Sequence, residues 1–220
     1  MEPTISFFSG FGRQDILFMA EAAWRTLLIS TISIAIGTIL GTIFGWLLYE
    51  GRIWATLFLA PVLDAFRSVP LIIQLVLFYN FVPIIGLSLD AFQSGLVILT
   101  IYTASLVANV ARGGIESVGK PMRRAARSLG MSYWQDLRYV VLPIGTRAVF
   151  PSWVGVALGV LKDSALVSVL GYVELLRASQ ILMTRTQEPL LIISIAGAFY
   201  FALSYPISRY SAKLEKRWSQ

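Results

Sequence analysis

The sequence predicts an all-α integral membrane domain of five transmembrane helices, with its amino terminus outside and a long cytoplasmic loop between the third and fourth spans. Three observations lead there. Hydrophobic residues make up 56% of the 220 positions and charged residues only 14%, where soluble domains carry roughly 25% charged residues. That much apolar surface needs lipid as its solvent. The apolar residues fall into five runs near the ~20 residues that cross a bilayer, and the basic residues collect on one side of those runs.

The first span runs from about Trp24 to Tyr49 and carries Gly37, Gly41 and Gly45. Small residues four apart clear one helix face for a neighbouring backbone, so these glycines read as packing. Residues 1–6 have no basic stretch, so the first span is expected to be permanent and not a cleaved signal. The second region, from about Trp54 to Val82, would be about 43 Å long as one helix. Asp64, Arg67 and Pro70 interrupt it. It either tilts, or lays its first turns along the interface before a break near Ser68-Val69-Pro70. The third span covers about Phe92 to Ala111, the fourth Ala148 to Leu170 and the fifth Leu190 to Ile207. Residues 1–220 form a single domain on this reading, and Trp24, Trp54 and Trp218 are expected as interface anchors.

Orientation follows from the cations. With the amino terminus outside, the inner side holds twelve: Arg52, Arg112, Lys120, Arg123, Arg124, Arg127, Arg138, Arg147, Arg209, Lys213, Lys216 and Arg217. The outer side holds four, Arg13, Arg25, Arg177 and Arg185. The net charge of +6 is thus a topology signal, and no nucleic-acid partner is needed to explain it. The chain contains no cysteine and no histidine. It therefore has no disulfide, thiolate nucleophile, His-based metal site or His-containing triad. No catalytic residue is expected, and a membrane-embedded enzyme lacks the chemistry.

Residues 112–147 form the long inner loop. Pro121 suits a first helical turn. Met122, Ala125, Ala126 and Leu129 recur at helical spacing as an apolar stripe among arginines, and Gly130 offers a stop. A Cβ at Gly130 is expected to obstruct the sharp turn. A second short helix is expected from Ser132, an N-cap with Gln135 three residues on. Such amphipathic helices lie on a membrane surface or dock in a partner's groove, and Trp134 fits either. Gly114 to Lys120 imitates a phosphate-binding loop, but Pro121 stands where Ser or Thr should hold magnesium, and no strand precedes it. ATP and magnesium are therefore expected on another polypeptide, and no cofactor on this one.

Ala125-Ala126, Gly130 and, after nine intervening residues, Val140-x-Leu142-Pro143 resemble the EAA loop of ABC-importer permeases. The acidic residue that names the motif is Arg124 here. Phe66-Arg67-Ser68-Val69-Pro70-Leu71 with Gln74, and Leu161-Lys162-Asp163-Ser164-Ala165-Leu166 with Glu174-Leu175 and Arg177-Ala178, are similar to segments of the polar amino-acid branch of that family. The resemblance implies a non-catalytic subunit of the bacterial inner membrane, working with a pair of ABC ATPase subunits. It also implies a second permease, identical or homologous, and an amino-acid-binding protein outside. It assigns ATPase coupling to Arg124, Ala125, Ala126, Leu129, Gly130, Trp134, Leu142 and Pro143. Alternating access about a central site would follow.

A charge within a span normally faces protein or water, which makes such groups pathway candidates. These are Arg67, Lys162 and Asp163, with polar Gln74, Asn80, Tyr102, Ser105, Asn109 and Ser164. Structural readings stand beside each. Asp64 and Arg67 are spaced for an intrahelical pair, and the Tyr102 stripe suits packing between helices. The charges do not discriminate acidic, basic and neutral substrates. A permease for another small solute stays open, as does an ion-coupled carrier, although the latter predicts internal repeats that the sequence lacks.

Overall fold

In the computed structural model the described residues are 10–51 and 53–218; the expectations placed on residues 1–6 and on Arg52 lie outside them. Nine α-helices occur among the described residues: α1 Arg13–Tyr49, α2 Ala60–Ser68, α3 Leu71–Phe81, α4 Ala91–Ser117, α5 Lys120–Ser128, α6 Tyr133–Asp136, α7 Leu142–Asp163, α8 Leu175–Thr186 and α9 Pro189–Trp218. A π-helical turn, Ala55–Leu59, leads into α2, and another, Leu137–Val141, joins α6 to α7. Tight 3₁₀ turns follow α3 (Val82–Ile85) and α7 (Ser164–Leu170). No strand occurs among the described residues.

Four continuous helical stretches are long and apolar enough to cross a membrane: Arg13–Tyr49, Ala91–Ser117, Tyr133–Leu170 and Pro189–Trp218. The second expected span is different. Its halves, Ala55–Ser68 and Leu71–Ile85, meet at 109°. The break falls at Val69, whose φ of −86° and ψ of 131° are extended, as proline drives the residue before it away from the helical region. Of the two forms the sequence left open, the broken one is present.

The α1 helix packs against α4 through the three glycines. A Cβ at Gly37 would lie 2.6 Å from Thr103 Cβ, one at Gly41 2.6 Å from Val107 Cβ, and one at Gly45 2.5 Å from the Ala108 carbonyl. Backbone approach this close needs hydrogen as the side chain, as the spacing predicted. The α4 helix is the central one: 56% of its apolar window is buried, against 28% in α1 and 11% in α9. It meets α7 at a second glycine contact, where a Cβ on Gly145 would lie 2.6 Å from the Gly114 carbonyl.

The connection between the fourth and fifth spans contains α8. Its buried Leu175 and Leu182 join Met19, Ala23, Ile192 and Ala196 in a core between α1 and α9. The 27 residues of α4 reach about 40 Å at 1.5 Å per residue, longer than the ~30 Å hydrocarbon layer. Its apolar part ends near Ala111, and the turn and a half from Arg112 to Ser117 adds about 9 Å of helix beyond it.

Candidate functional site

The inner loop folds as the two short helices expected, and a buried ion pair joins them. Arg123 on α5 is 8% exposed and Asp136, ending α6, is 0% exposed. Arg123 Nε donates to Asp136 Oδ2 at 2.8 Å, and Arg123 Nη1 donates to the hydroxyl of Tyr49, the last residue of α1, at 2.7 Å. Burial works against the guanidinium's charge, but the bonds to Asp136 and Tyr49 prevail and hold it protonated even more firmly than usual. Beside this pair, Trp46 Nε1 donates to the Tyr133 hydroxyl at 2.8 Å, which in turn donates to Glu50. Trp134 lies 5.9 Å from the Trp46 ring and edge-on to Tyr133 at 5.5 Å. Ile115, Val118 and Val141 form an apolar floor under Trp46 and Tyr49. These contacts tie α5 and α6 to the ends of α1 and α4.

The α6 cap is the predicted box: Gln135 Oε1 accepts from Ser132 N at 2.8 Å, and Ser132 Oγ accepts from Gln135 N at 3.4 Å. The apolar stripe on α5 divides. Ala126 turns inward, while Met122, Ala125 and Leu129 face out, Leu129 at 83% exposure. Arg124, Gly130, Leu142, Pro143 and Trp134 are exposed as well. At Gly130 the steric reasoning needs correction. No neighbouring atom comes within 4 Å of a Cβ built there, but its φ is +85°. A left-handed backbone, not crowding, asks for glycine. The turn closes with Gly130 N donating to the Arg127 carbonyl at 3.0 Å and Met131 N to the Ala126 carbonyl at 3.2 Å.

The expected pathway residues do not form one cluster. Arg67 pairs with Asp64 on its own helix. Gln74 is buried, and its amide donates to the carbonyls of Phe66 at 2.8 Å and Val69 at 2.7 Å. It therefore braces the break between α2 and α3. Asn80 is exposed and donates to Val76. On α4, Ser105 is buried and donates to the Tyr102 carbonyl, whereas Asn109 is exposed. Ser164 is buried and donates to Leu161. Lys162 is exposed and Asp163 half-buried, and neither has an ion-pair partner in contact among the described residues. Tyr102 and Asp163 are brought close enough to interact electrostatically, where α4, α7 and the 3₁₀ turn after α7 converge. An apolar groove of about 410 Å³ between α1, α4 and α7, bordered by Trp46, Ala111, Phe150 and Trp153, includes none of the pathway candidates.

A family model described as binding-protein-dependent transport system inner membrane component matches residues 24–220. The chain belongs to this family. It is 32% identical over 90% of its length to a probable glutamine ABC transporter permease of Bacillus subtilis, covering 91% of that protein. It is 30% identical over 92% of its length to the glutamine transport system permease of Escherichia coli K12, covering 93% of it. Among solved structures, a subunit of an amino acid ABC transporter crystallised with histidines superposes with a TM-score of 0.84 at 29% identity, over 93% of this chain and 95% of that one. The inward-facing MetNI methionine transporter, at 22% identity and TM-score 0.79 over 94% and 99% of the two chains, shares the fold. The chain is an inner-membrane permease of the ABC-importer type, a family of transmembrane subunits, and the single-chain carrier falls away.

Two features of this permease escaped the sequence reading. Between Arg112 and Arg147 the acids are Glu116 and Asp136. Glu116 pairs with exposed Arg112 at 2.8 Å, so Asp136 was the signal for a buried partner among the loop arginines. At the opposite end Glu174 is 0% exposed. It accepts from Leu176 N at 2.9 Å, Arg177 N at 2.8 Å, Thr26 Oγ1 at 3.5 Å and the Tyr200 hydroxyl at 3.2 Å. Burial pushes its carboxyl above the usual range against the pull of those bonds. Only the cap on α8 was local enough to read from sequence; Thr26 and Tyr200 arrive from distant helices.

Proposed function

We propose that this permease carries a polar amino acid inward across the bacterial inner membrane, by alternating access driven by a separate pair of ABC ATPase subunits. A second permease, identical or homologous, completes the pore, and an extracytoplasmic binding protein delivers the substrate. The amino terminus faces outward and residues 112–147 face the cytoplasm. The chain itself hydrolyses nothing and holds no cofactor. One observation carries the reading: an exposed face on α5, with Leu129 83% exposed, is bound through buried Arg123 to Tyr49 at the end of α1 and to Asp136 of α6, beside an apolar floor that includes the end of α4. A force applied to that face is passed into α1 and α4, as a transmission element requires. The amino-acid class is supported by the names of the relatives, with glutamine the first substrate to test.

The test is ATP-dependent uptake by vesicles containing the purified transporter and its binding protein, with radiolabelled glutamine, glutamate, histidine and arginine compared. Uptake of one of them that needs ATP and the binding protein supports the proposal; ATP-driven uptake of only a non-amino-acid solute overturns the substrate class. In the same assay Gly130→Val is expected to abolish uptake while leaving insertion in the membrane intact. A β-branched residue at φ +85° costs on the order of 1–3 kcal/mol. Normal uptake by Gly130→Val would show that the turn does not transmit.

A further inference from the structure

The exposed half of α5 carries an unusual distribution of charge. Between Glu116 and Asp136 the sequence has no acidic residue, and Arg123 is already satisfied by Asp136. That leaves Lys120, Arg124 and Arg127, all exposed and without a carboxylate in contact among the described residues. Their spacing of four and three places them in one stripe along the helix. Like charges at that spacing destabilise a helix in isolation; Arg127 lies over the Tyr133 ring, 5.8 Å from its centroid, and an opposing charge would relieve the stripe as a whole. At about 100° per residue, Met122, Ala125 and Leu129 form a second stripe on the opposite flank, also exposed. The face toward α1, held by Arg123 and Ala126, separates the two flanks.

We infer that the partner surface receiving α5 is a groove with one acidic wall, set against Lys120, Arg124 and Arg127, and one apolar wall, set against Met122 and Leu129. This rests on the reading that an ATPase docks on the loop, and it specifies the chemistry of the docking surface. A basic amphipathic helix also suits an anionic lipid surface. The position of α5 argues for protein. With α4 upright and its apolar part filling the hydrocarbon layer, its last turn and a half, Arg112 to Ser117, would hold α5 about 9 Å beyond that layer, at the outer limit of the headgroups. The buried contacts to Tyr49 and Asp136 prevent α5 from rolling back to bury its apolar flank in lipid. The charges supply steering and orientation, and the apolar flank supplies contact area.

The full-length permease, purified gently in lipid nanodiscs with its bound ATPase identified by mass spectrometry, is treated with a carbodiimide. This reagent joins amines to carboxylates only where they touch. The Lys120 amine of the wild type, and the amine that the Arg124→Lys substitution introduces, are expected to cross-link to carboxylates on one wall of a single ATPase groove. The Arg124→Glu variant is expected to weaken ATPase binding on the order of tenfold or more, by placing like charges together. Wild-type binding is expected to weaken with salt, and Arg124→Lys to bind nearly as tightly as wild type. An ATPase that is retained without any cross-link from either position, and that binds Arg124→Glu as tightly as wild type, overturns the acidic wall while leaving the importer reading intact. With phosphatidylserine, whose headgroup carries a carboxylate, included in the nanodiscs, cross-links that go only to that lipid overturn it in favour of a membrane surface. Absence of any ATPase from the wild-type preparation overturns the importer reading and this inference together.

Discussion

Two places on α1, around Thr26 and at its last residue Tyr49, each meet a buried charge, and they stabilise it in different ways. At Thr26, on the side read from sequence as outer, Glu174 is held by two backbone N–H groups of α8 and by the hydroxyls of Thr26 and Tyr200; no cation pairs with it among the described residues. At the inner end, Arg123 meets Asp136 charge to charge, with the Tyr49 hydroxyl completing the set. The outer arrangement is a helix cap extended by two side chains, and it stabilises α8 where it lies. The inner arrangement joins α5, α6 and the end of α1, three elements that would otherwise move separately. An ion pair withdrawn from water tolerates little misalignment, so it suits a joint that must move as one body. A carboxylate solvated by neutral dipoles is a local anchor.

The largest expected effect tests the inner joint. Asp136→Ala leaves Arg123 buried without a counter-charge and is expected to destabilise the permease by about 3–5 kcal/mol, read as a fall in melting temperature in detergent. The double variant Arg123→Met with Asp136→Leu is expected to recover most of that loss. If it does, while uptake per ATP hydrolysed stays low, the pair serves transmission beyond stability. Next, Glu174→Ala orphans the α8 donors and is expected to cost about 2–3 kcal/mol, with a loss of hydrogen-exchange protection confined to α8. A loss that spreads to α5 would break the distinction between anchor and joint.

The raised carboxyl of Glu174 also sets a pH dependence. The folded state holds this proton more firmly than the unfolded chain does. Its contribution is therefore fully present below the ordinary carboxylate range and falls as pH rises through the raised value. Thermal melts of wild type and Glu174→Gln across acid to neutral pH should converge in acid and separate toward neutrality. A smaller effect is expected from Arg185→Gln, which removes the 2.5 Å partner of buried Asp15 and costs about 1–2 kcal/mol. The smallest belongs to Arg112→Gln. Arg112 and Glu116 are each 49% exposed, and the loss of such a pair is expected at under about 0.5 kcal/mol. A large effect there would mean that charge count, and not burial, governs the inner end.

Where the sequence was legible, the signal was local. Pro70 marked the break after Ser68, Ser132 and Gln135 marked the second loop helix, and Gly130 marked a stop whose backbone has φ +85°. In each case one residue's own torsional or capping preference decides the outcome. Gly37, Gly41 and Gly45 announced close packing through spacing alone. The pathway candidates fared differently. Gln74 has the composition of a substrate ligand, yet its amide is occupied by the carbonyls of Phe66 and Val69. Pro70, lacking an N–H, leaves the Phe66 carbonyl without its helical donor, but that the Gln74 side chain reaches it, and Val69 beside it, was decided by the 109° bend; Gln74 Oε1 stays buried without a partner among the described residues.

Composition, the five apolar runs and the loop pattern by themselves determined a helical membrane domain with a long amphipathic loop, because lipid dictates span length and forces the backbone to satisfy itself. Tertiary structure alone decided which loop arginine is buried. Arg123, Arg124 and Arg127 are the same residue type within five positions, and only the approach of Asp136 and Tyr49 takes one of them out of water and leaves the others facing out. Pairing of that kind joins residues 13 and 74 positions apart, a separation over which no local preference acts.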